Sequence, residues 1–494
     1  MRMLAWLFAA AAFVLSAAAA QEAPATPAQW RAAARADLEA LRSIIAADTP
    51  IVVDEENPRL RAWYDRGYRQ AQGRLARVRD RAGYFYTLAA YVNGFGDPHL
   101  ALSQTATNPI ARWPGFIASA DGENTIVMVS EAGAPPEGAR ILNCDGRSLA
   151  TLRTQTVFAY TLNPALARDQ RAAHARLFLD RGNPFAPPPR RCLIEHQGAR
   201  QSWTLAWRDI PEDFWQRYTI ATNGPGAEFG VTLLDGGVAW IGVPTFGNDA
   251  APQMEALIAE IEPRAEAMRA GRAIVIDVRG NGGGNSGWAD RIASAVFGAD
   301  VVAAVAQPST PTATDWRASA ANIAYLDDFA PQLLAQFGAD SEIGRWITRA
   351  LDQMRAAHAR GDPLWRQRDD GGDGPIGPGG GYTRARPQGV SPFPARVYLL
   401  SNGTCASSCL NFADTVLHIP GVQLIGSDTS ADGLLMEVRD QVLPSGQARL
   451  TLPMKISRGR ARGAMEAYVA DIPYTGVWSD EAVRAWVLET VTAQ

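Results

Sequence analysis

Lysine is nearly missing from this chain. Of 47 basic residues among 494, one is lysine, Lys455, and the rest are arginine. Arginine stays protonated inside proteins and cannot act as a general base. Any amine-based proton transfer would therefore fall on Lys455, which sits in the strand-like stretch "RLTLPMKIS". Histidine is scarce as well: His99, His174, His196, His358 and His418. The four cysteines form no CxxC pattern and there is no HExxH, so no metal centre is expected. GxxxxGK[ST] is absent too, which removes the P-loop phosphate cradle, and no cofactor is expected. Beyond the first twenty residues no apolar run approaches about 18 residues, so no membrane span is expected in the mature chain. A net charge of −4 gives no reason to expect nucleic acid as a partner.

Residues Met1–Ala20 carry an early Arg2, a Leu/Ala/Phe/Val run and an Ala-rich end before Gln21. This is the pattern of a secretory signal peptide cleaved after Ala20, and it places the protein in the periplasm or outside the cell. About 474 residues then remain, room for roughly two to four domains.

Two junctions carry chemistry. "ARVYLLS" (Ala395–Ser401) reads as a buried strand, and Leu410, Phe412, Ala413, Val416 and Leu417 recur at helical spacing. Between them, "NGTCASSC" puts Ser407 where a strand turns into a helix, with its neighbours' N–H groups at a helix start. The plainer reading makes Thr404, Ser407 and Ser408 only helix caps. At the other junction, Ala273–Val278 reads as a buried parallel strand followed by Asp277, Arg279 and Asn281-Gly282-Gly283-Gly284, with a helix from about Ser286. Three glycines allow close backbone approach and inward-facing N–H groups, which suits the second half of an oxyanion hole facing Ser407.

"VAWIGVPTFG" (Val238–Gly247), "IVIDVRGNGGGN" and "GTCASSCLNFAD" occur in the order and spacing of the C-terminal processing (tail-specific) serine peptidases. "GVQLIGSDTSADG" (Gly421–Gly433) and "MEAYVADIPY" (Met465–Tyr474) resemble that family's later loop and closing segment. The resemblance covers nearly all of Gly226–Tyr474 outside one insertion. It implies an α/β fold: a crotonase/ClpP-like ββα peptidase core, here with a helical N-terminal domain and a PDZ-like β domain.

Many members of the family use a Ser–Lys dyad with the lysine 25 residues after the serine. That position here is Asp432. The Lys-lacking branch, which includes the tricorn core peptidase, instead carries D-x-H before the core. "GDPHL" resembles it and makes His99 the general base. His418 follows Ser407 on one predicted helix, roughly 16 Å along its axis, and is excluded. His174 and His358 read as exposed, and His196 as the tip of a hairpin. In the same branch a glutamate of the closing segment orients the histidine, and Glu466 matches it. The implied site is thus Ser407, His99 and Glu466, with the N–H groups of Ser408 and Gly283, or Gly284 in its place, holding the oxyanion.

The expected organisation is a signal peptide (1–20), a helical N-terminal domain (21–110), a PDZ-like domain with a helical insertion (111–210), and the peptidase core (211–494) with an insertion at about 307–395. The N-terminal helices are placed at Trp30–Ala47, Pro58–Arg79 and Ala82–Val92. In the core insertion, Trp316–Ala359 reads as helical, and the glycine-rich Gly361–Gly389 as either a lid or a linker. Cys144 and Cys192 both fall in the PDZ-like unit and form the natural pair. Cys405 and Cys409 bracket Ser407, as a disulfide brace or as two small buried residues. The function these features imply is an exported serine endopeptidase acting on proteins or peptides. The alternative is an inactive envelope protein that binds peptides or another ligand on the same fold, motivated by Leu410, where the family usually has glutamate. An acyl-CoA enzyme would share the core layering, but the signal peptide argues against it.

Overall fold

The computed structural model describes residues 23–305, 312–368, 375–377 and 379–493. The expected signal peptide lies outside them. The peptidase-like segment is built on a six-stranded sheet in the order Gly230–Leu234, Val238–Gly242, Ala273–Asp277, Arg396–Ser401, Gln423–Gly426, Ile472–Pro473. The first pair is antiparallel and every other pair is parallel. Ala273–Asp277 is buried along its whole length, as its unbroken apolar run requires of a central parallel strand. Helices Ala251–Ile261, Ser286–Phe297 and Ser408–Val416 cover one face. Val483, Val487 and Val491 of the last helix, Asp480–Ala493, cover the other. Both functional junctions therefore lie at the carboxyl ends of adjacent parallel strands, where open α/β sheets form their crevices.

A second sheet draws on three distant parts of the chain. Ala448–Arg458 pairs antiparallel with Ala101–Gln104, with Ala313–Arg317 and with Leu435–Val442, and Leu364–Arg368 adds beyond Ala313–Arg317. The insertion thus departs from expectation at both ends. Trp316 is a fully buried strand residue rather than a helical one, and the stretch expected to be loop contains the strand Leu364–Arg368. Between them, Ala320–Phe337 and Glu342–Arg360 are helical. A short strand in an alanine-rich segment is decided by its partners, which local periodicity does not show.

The N-terminal helices are Pro27–Asp48, Pro58–Arg74 and Arg81–Asn93. Thr26 and Gln29 form a capping box at the first, and Asp80 caps the third. Their apolar faces share one core with Leu435, Leu443, Leu450, Leu452 and Ile456 of the second sheet. Buried polar links reinforce the joint. Asp37 accepts from Tyr84 Oη at 2.5 Å and from the Ser445 N–H at 2.9 Å. Arg439 pairs with Asp48, and Arg458 with both Asp54 and Asp315. The segment carrying His99 is therefore welded to the core by a shared hydrophobic interior.

A third sheet, Phe116–Asp121, Asn124–Ser130, Arg140–Cys144, Arg191–His196 and Ala199–Thr204, forms a separate β unit. Cys144 and Cys192 are disulfide-bonded across it. His196 ends a strand before Gln197 and Gly198, both at positive φ, the two-residue hairpin tip the sequence suggested. His174 differs from expectation. It is buried, lies 2.6 Å from Thr125 Oγ1, and burial pushes its pKa down to about 3. His358 is exposed, with Nδ1 2.9 Å from the Ala318 carbonyl. No described helix is long and apolar enough to cross a membrane.

Candidate active site

Strand Arg396–Ser401 runs out into Asn402–Ala406, and the helix Ser408–Val416 begins one residue after Ser407. Ser407 has φ 53° and ψ −122°. A non-glycine residue held there is strained, and strain of this kind collects at functional turns. Cys405 and Cys409, both fully buried, are joined by a disulfide that spans the turn. Ser407 is half-buried, whereas Ser408 is fully buried with its hydroxyl donating to the Gly284 carbonyl at 2.5 Å. Among the described residues Ser407 Oγ makes no hydrogen bond.

The glycine loop lies directly against this turn. A Cβ added to Gly283 would sit 2.6 Å from the Ala406 carbonyl, 2.7 Å from Ser407 Cβ and 2.9 Å from the Ser408 nitrogen. Phe246, fully buried, braces the loop: its N–H donates to Gly283 O at 3.0 Å, and its carbonyl accepts from the Asn285 N–H at 2.8 Å. The D-V-R part of the motif is structural. Arg279 and Asp277 form a buried ion pair at 2.8 Å where the strand ends. One oxyanion assignment needs correction. The Gly283 N–H donates to Asn281 Oδ1 at 2.9 Å and is committed. The N–H groups of Ser408 and Gly284, the alternate, make no hydrogen bond among the described residues.

Gly283→Ala should therefore cut reaction at Ser407 by about 100-fold, the scale of an ångström-sized displacement of reacting groups. The expected readout is slower covalent labelling of Ser407 with an unchanged circular dichroism spectrum. Labelling at the wild-type rate would mean that the contact does not position the nucleophile.

His99 lies on the turn between helix Arg81–Asn93 and strand Ala101–Gln104. Asp97 is its nearest charge: Oδ1 lies 3.3 Å from Nδ1 and accepts the His99 backbone N–H at 2.9 Å. The 3.3 Å approach is an ion-pair contact, not an aligned hydrogen bond, because Nδ1 has no partner of proper geometry. Asp97 in turn packs on Gly433, where any Cβ would overlap its carboxylate. Asp432, next to that glycine, accepts the Ser407 N–H at 3.3 Å. The D-x-H turn and the nucleophile turn thus meet at Asp432–Gly433. Burial disfavours the imidazolium, but Asp97 and then Asp432 outweigh it, so the His99 pKa is raised, with Arg460 opposing. Ser407 and His99 are not hydrogen-bonded to each other.

Asp432, at the position of the missing dyad lysine, belongs to a buried network. Arg462 spans Asp432 at 3.3 Å and Asp414 at 3.1 Å, and Tyr468 Oη donates to Asp414 at 2.8 Å. Lys455 is elsewhere, paired with Glu437 at 3.0 Å and 4.7 Å over the Trp316 ring. His418 stacks on Tyr382 at 3.8 Å.

Glu466 was expected to orient His99. In the structure the carboxylate beside His99 is Asp97, and Glu466 accepts from the N–H groups of Gly463 at 2.6 Å, Gly381 at 2.8 Å and Thr383 at 3.1 Å, and from Thr383 Oγ1 at 2.7 Å. Burial raises its pKa, but these donors together outweigh that and lower it. Glu466 thereby pins the described end of the glycine-rich loop to the segment after Arg458. Glu466→Gln should free residues 379–384, losing about 1–3 kcal/mol of charge-assisted hydrogen bonding. Faster amide exchange in that loop, with a smaller loss of labelling than on removal of His99, is the expected result. A loss as large as that of His99→Ala would return Glu466 to the catalytic group. Asp97, inside the D-x-H motif, was visible in the sequence but not given this role. Among the described residues there is no cluster of side chains able to hold a metal ion.

A strained serine at a helix start, a glycine loop pressed against it and an imidazole close by form the kind of site that serine hydrolases use. Residues 237–466 match the family model of Peptidase family S41. No curated protein matches the chain. Among solved structures, mature CPAF complexed with lactacystin superposes with a TM-score of 0.57 at 16% identity, over 94% of this chain and 100% of that one. Mature CPAF alone gives 0.57 at 14% identity, over 94% and 98%. At such identity the likeness speaks for the fold alone. The tricorn protease aligns at a TM-score of 0.32 and 11% identity, over 92% of this chain and 37% of that one, too loosely to bear on the branch. Residues 237–466 are thus similar to the peptidases of family S41, and the CPAF superposition supports an α/β peptidase fold.

Proposed function

We propose that the chain is an exported serine endopeptidase of the Lys-lacking branch, acting on protein or peptide chains. The observation that carries this is Ser407 in its positive-φ turn, with unbonded Ser408 and Gly284 N–H groups beside it. Ser407 Oγ attacks the scissile carbonyl while His99 takes its proton. The oxyanion is held by the Ser408 and Gly284 N–H groups, and His99 then returns the proton to the leaving amine. Water, deprotonated by His99, releases the acyl group. Asp97 and Asp432 favour the imidazolium formed in both halves of the reaction. The β unit at 111–210, read as PDZ-like, supplies strand edges of the kind that bind extended peptides, and the core is read as crotonase-like. Two disulfides support an oxidising compartment, the periplasm or outside the cell.

The second reading is a peptide- or ligand-binding protein without activity. It rests on the absent Ser407–His99 hydrogen bond and on fully buried Leu410. Separated catalytic groups are common before substrate binds, which favours the enzyme. Treatment with a fluorophosphonate followed by peptide mapping decides between the two. One adduct on Ser407 is expected, and a protein that stays unlabelled is the binding protein.

A further inference from the structure

The stretch Phe158–Arg176, which overlaps the helical insertion expected at Asn163–Phe185 in the β unit, touches both halves of the site. Asn163 Nδ2 donates to the Gly96 carbonyl at 3.1 Å, directly before the Asp97–His99 turn. Asn93 Nδ2 reaches back to the carbonyls of Phe158 at 2.9 Å and Leu162 at 3.3 Å. Further along, Arg171 projects from the helix Ala167–Arg176. Its Nη2 donates to the Asn402 carbonyl, and its Nη1 to Ser427 Oγ at 2.5 Å. Asp169, in the first turn of that helix, accepts the Asn163 N–H at 2.8 Å, so the two arms are tied to each other.

Asn402 is a consequential residue to grip. Its Oδ1 accepts from Thr404 Oγ1 at 2.6 Å and from the Gly280 N–H at 3.3 Å, joining the nucleophile turn to the glycine loop. Gly403, at φ +87°, is closely covered: a Cβ there would lie 3.0 Å from Arg171 Nη2 and 3.2 Å from Arg168 Cβ. Arg171 itself is costly. Its hydrogen bonds go to neutral acceptors, and burial pushes its pKa down to about 10, with Asp428 opposing only through space. A guanidinium taken out of water without a carboxylate in contact loses solvation that a carbonyl and a hydroxyl replace only in part. A neutral side chain would fill such a place more cheaply if filling were its whole role.

We infer that Asn163 and Arg171 are positioning residues, the two arms of a bridge that holds the His99 turn and the Ser407 turn to one helix and so sets the gap between base and nucleophile. This rests on the reading of Ser407 and His99 given above. Because the arms act through the same gap, breaking either should have the same consequence as breaking both.

The test uses the full chain carrying Asn163→Ala, Arg171→Met, both together, and each in a His99→Ala background. Either single change should slow fluorophosphonate labelling of Ser407 by about 100-fold. The double variant should be no slower than the slower single, and neither change should slow a His99→Ala protein further. Arg171→Lys, which keeps the charge and one bond, should fall between Arg171→Met and wild type, and it serves in place of the methionine variant if that fails to fold. Losses that multiply, or that persist without His99, would overturn the bridge. Amide hydrogen exchange gives a reading independent of chemistry: either substitution should speed exchange in both 94–99 and 401–408. Acceleration confined to the loop that lost its own contact would also overturn it. A wild-type protein that takes no label would sink the peptidase reading while the exchange measurement still decides the bridge.

Discussion

Ser407→Ala is expected to abolish peptide hydrolysis and all fluorophosphonate labelling while the fold persists. Removal of the nucleophile from a comparable serine site costs a factor on the order of 10⁶ in rate. The fold should survive because the hydroxyl makes no hydrogen bond, and the turn is fixed from both sides without it. The Cys405–Cys409 disulfide spans it, and the Ser408 hydroxyl and the Ser407 N–H hold Gly284 O and Asp432. Of the other hydroxyls in the turn, that of Thr404 is spent on Asn402 Oδ1, which leaves Ser408 as the rival. It is fully buried and its hydroxyl is already donated, so it offers an incoming carbonyl neither access nor a free proton. Mass spectrometry of the labelled protein, with circular dichroism of both forms, checks the prediction. An adduct on Ser408, or hydrolysis near the wild-type rate in the alanine variant, would overturn it.

What could be read in advance was set by local pattern. The central strands announce themselves because a strand buried on both faces needs an unbroken apolar run, and residues 273–276 and 397–400 supply one. The turns after them were visible because their glycines answer a local need: Gly283 leaves no room for a side chain against Ser407. The N-terminal helices could be placed to within a few residues from periodicity and caps. Contacts made at long range were not legible. That Trp316 belongs to a strand depends on Lys455 and Trp365 lying opposite it. That Glu466 bonds residues 381–383 depends on where an insertion loop comes to rest. His174 looked exposed in an Arg/Ala-rich helix, yet the β unit closes over it. Family resemblance could carry a residue's role to a position, but not the neighbours that decide whether the role can be performed there.

The same limit applies to domain independence. The helical N-terminal segment reads as a domain of its own, with the catalytic group split across a boundary. In the structure its helices bury against Leu450 and Leu452, and its buried acids hold Arg439 and Arg458 of the second sheet. Strand Ala101–Gln104, which follows His99 closely, is registered on Ala448–Thr451. A hinge between these parts would have to open a hydrophobic core. The His99 turn is therefore positioned by the core, by Gly433 and by Asn163, and small local shifts of that turn are the available motion.

His99→Ala should lower the rate of Ser407 labelling by a factor on the order of 10⁶, the cost of losing the base of a comparable Ser–His group. Lys455→Met should leave it nearly unchanged. The contrast follows from where each side chain is spent. Lys455 is buried between Glu437 and the Trp316 ring, so it is paired and turned to the second sheet. Replacing it leaves Glu437 unpaired, and some stability should be lost. His99 sits on the turn that packs against Asp432–Gly433, and Asp432 holds the Ser407 N–H. Its pH dependence has a definite sign. A general base works only when neutral, and Asp97 and Asp432 raise the His99 pKa despite burial. Labelling should therefore rise with pH through a midpoint above about 6.5, the ordinary histidine value. Asp97→Asn should move that midpoint down, because the favoured partner of the imidazolium is gone. The measurement is the second-order labelling rate across pH for the four proteins. An inactive Lys455→Met beside an active His99→Ala would overturn the Ser–His assignment. A midpoint that ignores Asp97→Asn would show that the carboxylate beside His99 does not set its charge.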